Sequence, residues 1–212
     1  MAGHEERFEK KSLKQRFDKL TQGPIGYVVY AILGIFIAFL LNQTLAFALN
    51  TDLPVVAVVS GSMDHGINEN GAPCGKSPEN YTETFDNWWN ICGDFYKSVN
   101  ISKENFELFP NHDGFKKGDM PIVEKSAYKV GDVVVYTVPT QQVPIIHRIV
   151  KINPDGSFVT KGDHNPNPIP FQGGYSEFSI KPQWVHGKVI FIIPKLGYFK
   201  VILTDILSGG RA

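Results

Sequence analysis

The residues that could carry chemistry begin at Val58-Val59-Ser60-Gly61-Ser62-Met63, where an apolar run leads into two hydroxyls flanking a glycine. A serine attacks a carbonyl only if the backbone exposes its Oγ and leaves N–H groups free to face the developing oxyanion. A glycine at the end of a strand permits that approach. Acyl transfer is the chemistry such an arrangement would serve. Ser-Gly-Ser is also a common turn, so the tripeptide needs partners. Downstream lie Gly131-Asp132-Val133-Val134-Val135-Tyr136, Ile145-Ile146-His147-Arg148-Ile149-Val150, Thr160-Lys161-Gly162-Asp163-His164-Asn165 and Gly187-Lys188-Val189.

The elements that must position these residues follow from the rest of the chain. Its 212 residues suit one domain with appendages. With 21 basic and 21 acidic side chains the formal charge is zero, which gives no sign of the basic surface that a nucleic-acid partner requires. Cys74 and Cys92 are the only cysteines. No histidine or second cysteine pair stands at zinc-finger spacing around them, so neither a metal nor a cofactor is expected.

From Tyr27 to Leu49 there is no charged residue, and only Asn42, Gln43 and Thr44 interrupt the apolar run. About 20 such residues cross a hydrocarbon core as a helix, and residues 25–50 are read as a transmembrane anchor. Lys10, Lys11, Lys14, Arg16 and Lys19 precede it, whereas the first basic residue after it is Lys76. The positive-inside bias therefore puts the N-terminus in the cytoplasm and everything after Asp52 outside. The alternatives are a cleaved signal peptide, with Ala46-Phe47-Ala48 as its small-residue site, and a buried core helix. Residues 1–24 form a basic leader in which Phe8, Leu13, Phe17 and Leu20 have roughly helical spacing, as in an amphipathic stretch on the inner leaflet or a solvated tail.

Residues 51–212 read as a mainly β domain. Short Val- and Ile-rich runs at 53–59, 120–124, 130–138, 143–152, 157–160 and 185–193 are bounded by Gly, Pro, Asn and Asp, with Asn153-Pro154-Asp155-Gly156 as a hairpin turn. No sustained helical period is read between Leu49 and the tail at 196–207, which would pack on the core or rest on the membrane. The stretch at about 64–117 reads as an insertion of linker-like composition, separable from the chemistry. It carries the sequons Asn80-Tyr81-Thr82 and Asn100-Ile101-Ser102 and both cysteines, which an extracytoplasmic compartment would close into a disulfide contributing about 3 kcal/mol.

In this order the blocks resemble type I signal peptidases, specifically the archaeal and endoplasmic-reticulum branch, over the anchor and nearly all of the outer domain except the insertion. The resemblance implies a signal-peptidase-like β-rich catalytic domain behind an N-terminal transmembrane helix. It maps the nucleophile to Ser62, with the Ser60 hydroxyl beside the Ser62 N–H as an oxyanion hole. It maps the base to His147, where the bacterial branch has lysine. A neutral imidazole suits that task near neutral pH without the desolvation a lysine base needs. Asp163 matches a family aspartate and is expected to orient the His147 ring. Relatives carry a further acid about six residues later, where this chain has Pro168 and Ile169. A Ser-His dyad, or an acid from elsewhere such as Glu177, are the alternatives. Lys161 is a rival base, read instead as a surface lysine beside a turn. His164 is read as a surface or turn residue, and His65 as a flexible residue at the mouth of the insertion.

The function so implied is a membrane-bound serine endopeptidase that removes signal peptides from exported preproteins. Substrate would add as a strand between the segment ending at Val59 and the one running into His147, against Val58, Val59, Met63, Ile145 and Ile146. Secretory preproteins, membrane lipid and the protein-export translocon are the implied partners, and an archaeal-type cell membrane is favoured over the endoplasmic reticulum. Two rival classes are a catalytically inactive membrane-tethered β-domain that binds peptides or partner subunits, and a self-cleaving relative using Ser62.

Overall fold

The computed structural model describes residues 23–76 and 78–198. The expectations for the leader and for the tail beyond Tyr198 lie outside these residues. The chain divides into two units, 1–47 and 48–212.

In the first unit, helix α1 (Pro24–Ala48) covers the predicted anchor. At 1.5 Å per residue its 25 residues extend about 37 Å. Nearly all of its side chains are exposed, apolar ones included. It is long and apolar enough to cross a bilayer.

The second unit is built on a five-stranded antiparallel sheet of β1 (Met120–Glu124), β2 (Val133–Tyr136), β3 (Ile145–Ile152), β4 (Phe158–Lys161) and β5 (Val185–Ile193), in the order β1-β5-β2-β3-β4. The β3–β4 hairpin closes through the expected turn, in which the Gly156 N–H donates to the Asn153 carbonyl at 2.9 Å and Gly156 sits at φ +80°. One face of β2 and β3 packs Val133, Val135 and Ile146 with Val58, Met63 and Phe115. The other packs Val134, Tyr136 and Ile149 with Phe158, Ile180 and Val185.

Two departures from expectation have local causes. The run 53–59 is extended, and its Val56 and Val58 N–H groups donate to the Pro121 and Asp119 carbonyls. Yet it forms only an isolated bridge, Val55 with Ile122. Pro121 has no N–H to return the bond it accepts, which interrupts the ladder.

The stretch 64–117 is not a linker. It folds into α2 (Phe85–Ser98) and the short α3 (Lys103–Glu107), capped by Thr84 and Ser102 side chains that accept from Asn87 N–H and Asn105 N–H. Trp88, Trp89, Tyr96, Ile101 and Phe106 are buried there in a cluster that includes Val150 of β3 and Val159 of β4. Cys74 and Cys92 form a disulfide. Asn80 and Asn100 are exposed.

Candidate active site

Four chain segments meet at the candidate site. The first is the 60–63 turn at the end of the extended 53–59 run. Ser62 is partly exposed and its Oγ lies 3.3 Å from Ser60 Oγ, while Met63 behind it is fully buried. The turn is tied from behind: the Asp64 N–H donates to the Gly61 carbonyl at 3.1 Å, and the His164 N–H donates to the Ser62 carbonyl at 2.9 Å.

The second segment is β3. His147 is buried at 4% exposure and registers against Val134 of β2. Its Nδ1 meets Glu177 Oε1. A carboxylate can only accept there, so Nδ1 carries the proton and the Nε2 lone pair is left free. The third segment explains where Nε2 points. Gly162 follows β4, and a Cβ on it would stand 2.8 Å from His147 Nε2 and 2.7 Å from the Ser62 carbonyl oxygen. Only glycine lets His147 and the Ser62 turn approach this closely.

The fourth segment carries Glu177. It lies against Ile169, the position at which the sequence lacks an acid: the Glu177 N–H donates to the Ile169 carbonyl at 2.9 Å, and the Ile169 N–H donates to Glu177 Oε2 at 2.7 Å. Tyr136 Oη and Thr160 Oγ1 donate to Oε1 at 2.9 and 3.3 Å. Burial alone would push the Glu177 carboxyl up, but His147 and these donors hold it below its usual value. A buried, ionised carboxylate with its lone pairs occupied can fix a histidine ring and stabilise an imidazolium.

Asp163, expected to orient His147, is turned to other partners. Arg148 donates to both of its oxygens, Nε to Oδ1 at 3.0 Å and Nη2 to Oδ2 at 2.6 Å. Tyr96 Oη donates to Oδ1 at 2.8 Å, and His65 Nε2 lies 3.3 Å from Oδ2. The reason is strand alternation: His147 and Arg148 are neighbours on β3 and leave it on opposite faces, and Asp163 follows Arg148. Burial opposes the Asp163 charge, yet Arg148 holds its carboxyl far below the usual range.

Two further residues differ from expectation, and a third meets it in part. Lys161 is fully buried, with Nζ 4.6 Å from the Tyr96 ring centroid and bonded to the Gly162 carbonyl at 3.0 Å; burial brings it down to about 8. His65 is buried and stacked on Trp88 with centroids 3.7 Å apart. His164 does lie in a turn, but is buried, with Nδ1 2.9 Å from the Asp64 carbonyl oxygen. The signals the sequence offered for Glu177 were weak, since it stands alone between Ser176 and Phe178 and 30 residues from His147.

A cavity of about 280 Å³ opens beside Ser62 and His147, and Val58, Val59, Ser60, Met63, Ile145 and Ile146 all line it. Among the described residues β4 pairs with β3 only from Arg148 onward, so the edge of β3 at Ile145–His147 has no strand beside it. Ile149 exchanges bonds with residues 131 and 132 on the β2 side. Alternation then turns the N–H and C=O of Ile146 to the open edge. Across the cavity Val58 bonds to 118 and 119, which turns the polar groups of Ala57 and Val59 inward.

No family model matches the chain. Among curated proteins, the signal peptidase complex catalytic subunit SEC11 of Lachancea thermotolerans is 33% identical over 99 residues, covering 43% of this chain and 59% of that protein. The protein of the same name from Eremothecium gossypii is 32% identical over 98 residues, with 43% and 59% covered. That from Chaetomium globosum is 30% identical over 98 residues, with 43% and 57% covered. The chain thus spans less than two thirds of the length of these relatives. Over that shared stretch, the likeness expected from the ordered sequence blocks is present: the chain is similar to the endoplasmic-reticulum branch of type I signal peptidases.

Proposed function

We propose that the protein is a membrane-anchored serine endopeptidase that removes signal peptides from preproteins. Ser62 is the nucleophile, His147 Nε2 the base that takes its proton, and Glu177 the acid that holds the ring. The observation that carries this reading is the His147–Glu177 pair, which leaves Nε2 free beside the Ser62 turn. In the step, Ser62 Oγ attacks the scissile carbonyl and its proton passes to Nε2. The oxyanion meets the Ser62 N–H and the Ser60 hydroxyl, and the imidazolium returns the proton to the leaving amine. Water then repeats the attack on the acyl-enzyme.

The open edges at Ile146 and at Ala57 and Val59 fit an extended substrate strand, and the modest apolar cavity suits small side chains at alternate positions. Helix α1 anchors the enzyme at the bilayer its substrates occupy, which raises their effective concentration. We assign residues 1–24 to the cytoplasm and 51–212 to the outer side on the charge asymmetry, with lipid and the export translocon as partners. An archaeal-type cell membrane is the setting proposed from the sequence blocks; the relatives named above are eukaryotic and give that choice no support over the endoplasmic reticulum. The missing acid at residue 169 gave the inactive-domain reading some footing, and Glu177 beside Ile169 supports the catalytic reading over it.

The test is incubation of the full-length protein in detergent micelles with one preprotein, followed by sequencing of the product N-terminus. Cleavage at the signal-peptide junction is expected from the wild type and not from His147→Ala. A fully active His147→Ala enzyme would overturn the assignment.

A further inference from the structure

The nucleophile turn is held through a chain of contacts that begins in the 64–117 segment. The Ser62 carbonyl accepts from the His164 N–H at 2.9 Å, and the His164 carbonyl in turn accepts from the Cys74 N–H at 2.7 Å. Cys74 is joined to Cys92 on α2 by the disulfide. One helical turn later, on the same face of α2, Tyr96 Oη donates to Asp163 Oδ1 at 2.8 Å. One turn earlier, Trp88 stacks on His65, whose Nε2 faces the other Asp163 oxygen. A single helix face, spaced four residues apart, thus grips the 162–165 turn at three points. That turn also carries Gly162, against which His147 Nε2 and the Ser62 carbonyl both lie.

Cys74 itself sits at φ +53°, a left-handed conformation that costs a non-glycine residue energy and persists only when its surroundings impose it. The bond to His164 and the disulfide to α2 are what impose it here.

We propose that α2, through the Cys74–Cys92 disulfide and Tyr96, is a clamp that positions Ser62 relative to His147, so that the enzyme reaches its full turnover rate only with the disulfide closed. Cys74, Cys92 and Tyr96 are positioning residues: they act on Ser62 through His164 and Asp163 and touch no reacting atom. The clamp rests on the serine endopeptidase reading for its effect on turnover, but not for its effect on the turn itself.

The experiment uses the full chain in detergent micelles, oxidised, reduced with a water-soluble phosphine, and reoxidised. The phosphine supplies two electrons to the disulfide, takes up oxygen from water as its oxide, and leaves two thiols. Hydrogen exchange read by mass spectrometry follows peptides covering residues 60–65 and 162–165, beside kcat and KM for one preprotein. Tryptophan fluorescence and near-ultraviolet circular dichroism, recorded well below the unfolding midpoint, follow the fold. Reduction is expected to speed exchange in both peptides and to lower kcat by about 10- to 100-fold, the range that a misplacement of about 1 Å can cause. KM should stay within about twofold, and reoxidation should restore all three. Tyr96→Phe keeps the disulfide and the ring, and is expected to speed exchange in 162–165 with a smaller loss of kcat.

A disulfide that serves stability alone would lower the unfolding midpoint and leave exchange and kcat unchanged below it, and that result overturns the clamp. If reduction unfolds the chain, Tyr96→Phe decides: exchange as in wild type overturns the proposal. A wild-type protein that cleaves nothing would overturn the proposed function, and the exchange data alone would then decide the clamp.

Discussion

The two faces of β3 serve the site in different ways, one toward the segment that carries Glu177 and the other toward the 64–117 segment. On one face of the strand His147, Tyr136 and Thr160 all donate to the single carboxylate of Glu177. On the other, Arg148 and Asp163 form a fully buried bidentate ion pair under Tyr96, with the Arg148 guanidinium 4.7 Å from the Phe106 ring centroid. In the proposed mechanism the first arrangement tunes the base. The second fixes the shape of the loops that bring His147 and the Ser62 turn together. Two adjacent residues on one strand therefore divide chemistry from architecture, because strand alternation sends them to different environments.

Variants on the two faces should separate these roles. The largest effect is expected from Glu177→Gln, which keeps the shape but removes the charge and admits the wrong His147 tautomer. kcat/KM should fall by about 10³- to 10⁴-fold with the melting temperature little changed. An effect under tenfold would point to a Ser-His dyad.

Arg148→Met should be next, and should act on stability. It leaves Asp163 buried without its partner, at a cost of about 3–5 kcal/mol in denaturant titrations. If that variant keeps its denaturation midpoint, the division between the faces is wrong.

The same ion pair sets a pH dependence. Asp163 is held far below its usual range when folded, so its charge stabilises the fold above about pH 4, where the unfolded carboxylate is ionised. That stabilisation is lost as the pH falls towards the folded value. Asp163→Asn, already lacking it, should show a flatter fall in unfolding free energy between about pH 5 and 2.

The smallest effect is expected at Lys161. Burial brings it down to about 8, so between there and its ordinary value the unfolded chain binds the extra proton. Wild-type stability should therefore rise between about pH 8 and 10 by about 1–3 kcal/mol more than that of Lys161→Met. Equal slopes would contradict the burial of its ammonium against Tyr96.

What the sequence made legible follows the same division. Strands β1 at 120–124 and β5 at 185–193 match the runs read for them, β2 and β3 lie within the Val- and Ile-rich runs that predicted them, and β4 extends one residue past its run, to Lys161. Alternation and turn residues report directly on a sheet. The line of α2 was also written, as Trp88, Cys92 and Tyr96 at helical spacing behind a Thr84 cap. Asn87, Asn90, Gly93 and Asp94, poor helix formers, obscured it. Its partners lie far along the chain in β3, β4 and the 162–165 turn, and packing supplied what propensity withheld. The same holds for the acid. Asp163 sits in a recognisable block, and Glu177 does not, but a block names a residue without naming the strand face its partner occupies. The gap at Ile169 was visible; that Glu177 lies against it depends on a backbone pairing eight residues apart.

The central claim, that Ser62 performs hydrolysis with His147 as its base, is tested most directly by kcat/KM for one preprotein, measured with the full-length wild-type protein and Ser62→Ala side by side in the same micelles. Removing Oγ deletes the attacking atom from a partly exposed turn residue and no core packing. Cleavage at the signal-peptide junction is expected from the wild type and none from Ser62→Ala, with matching circular dichroism spectra; turnover by Ser62→Ala at the wild-type rate would remove Ser62 as the nucleophile.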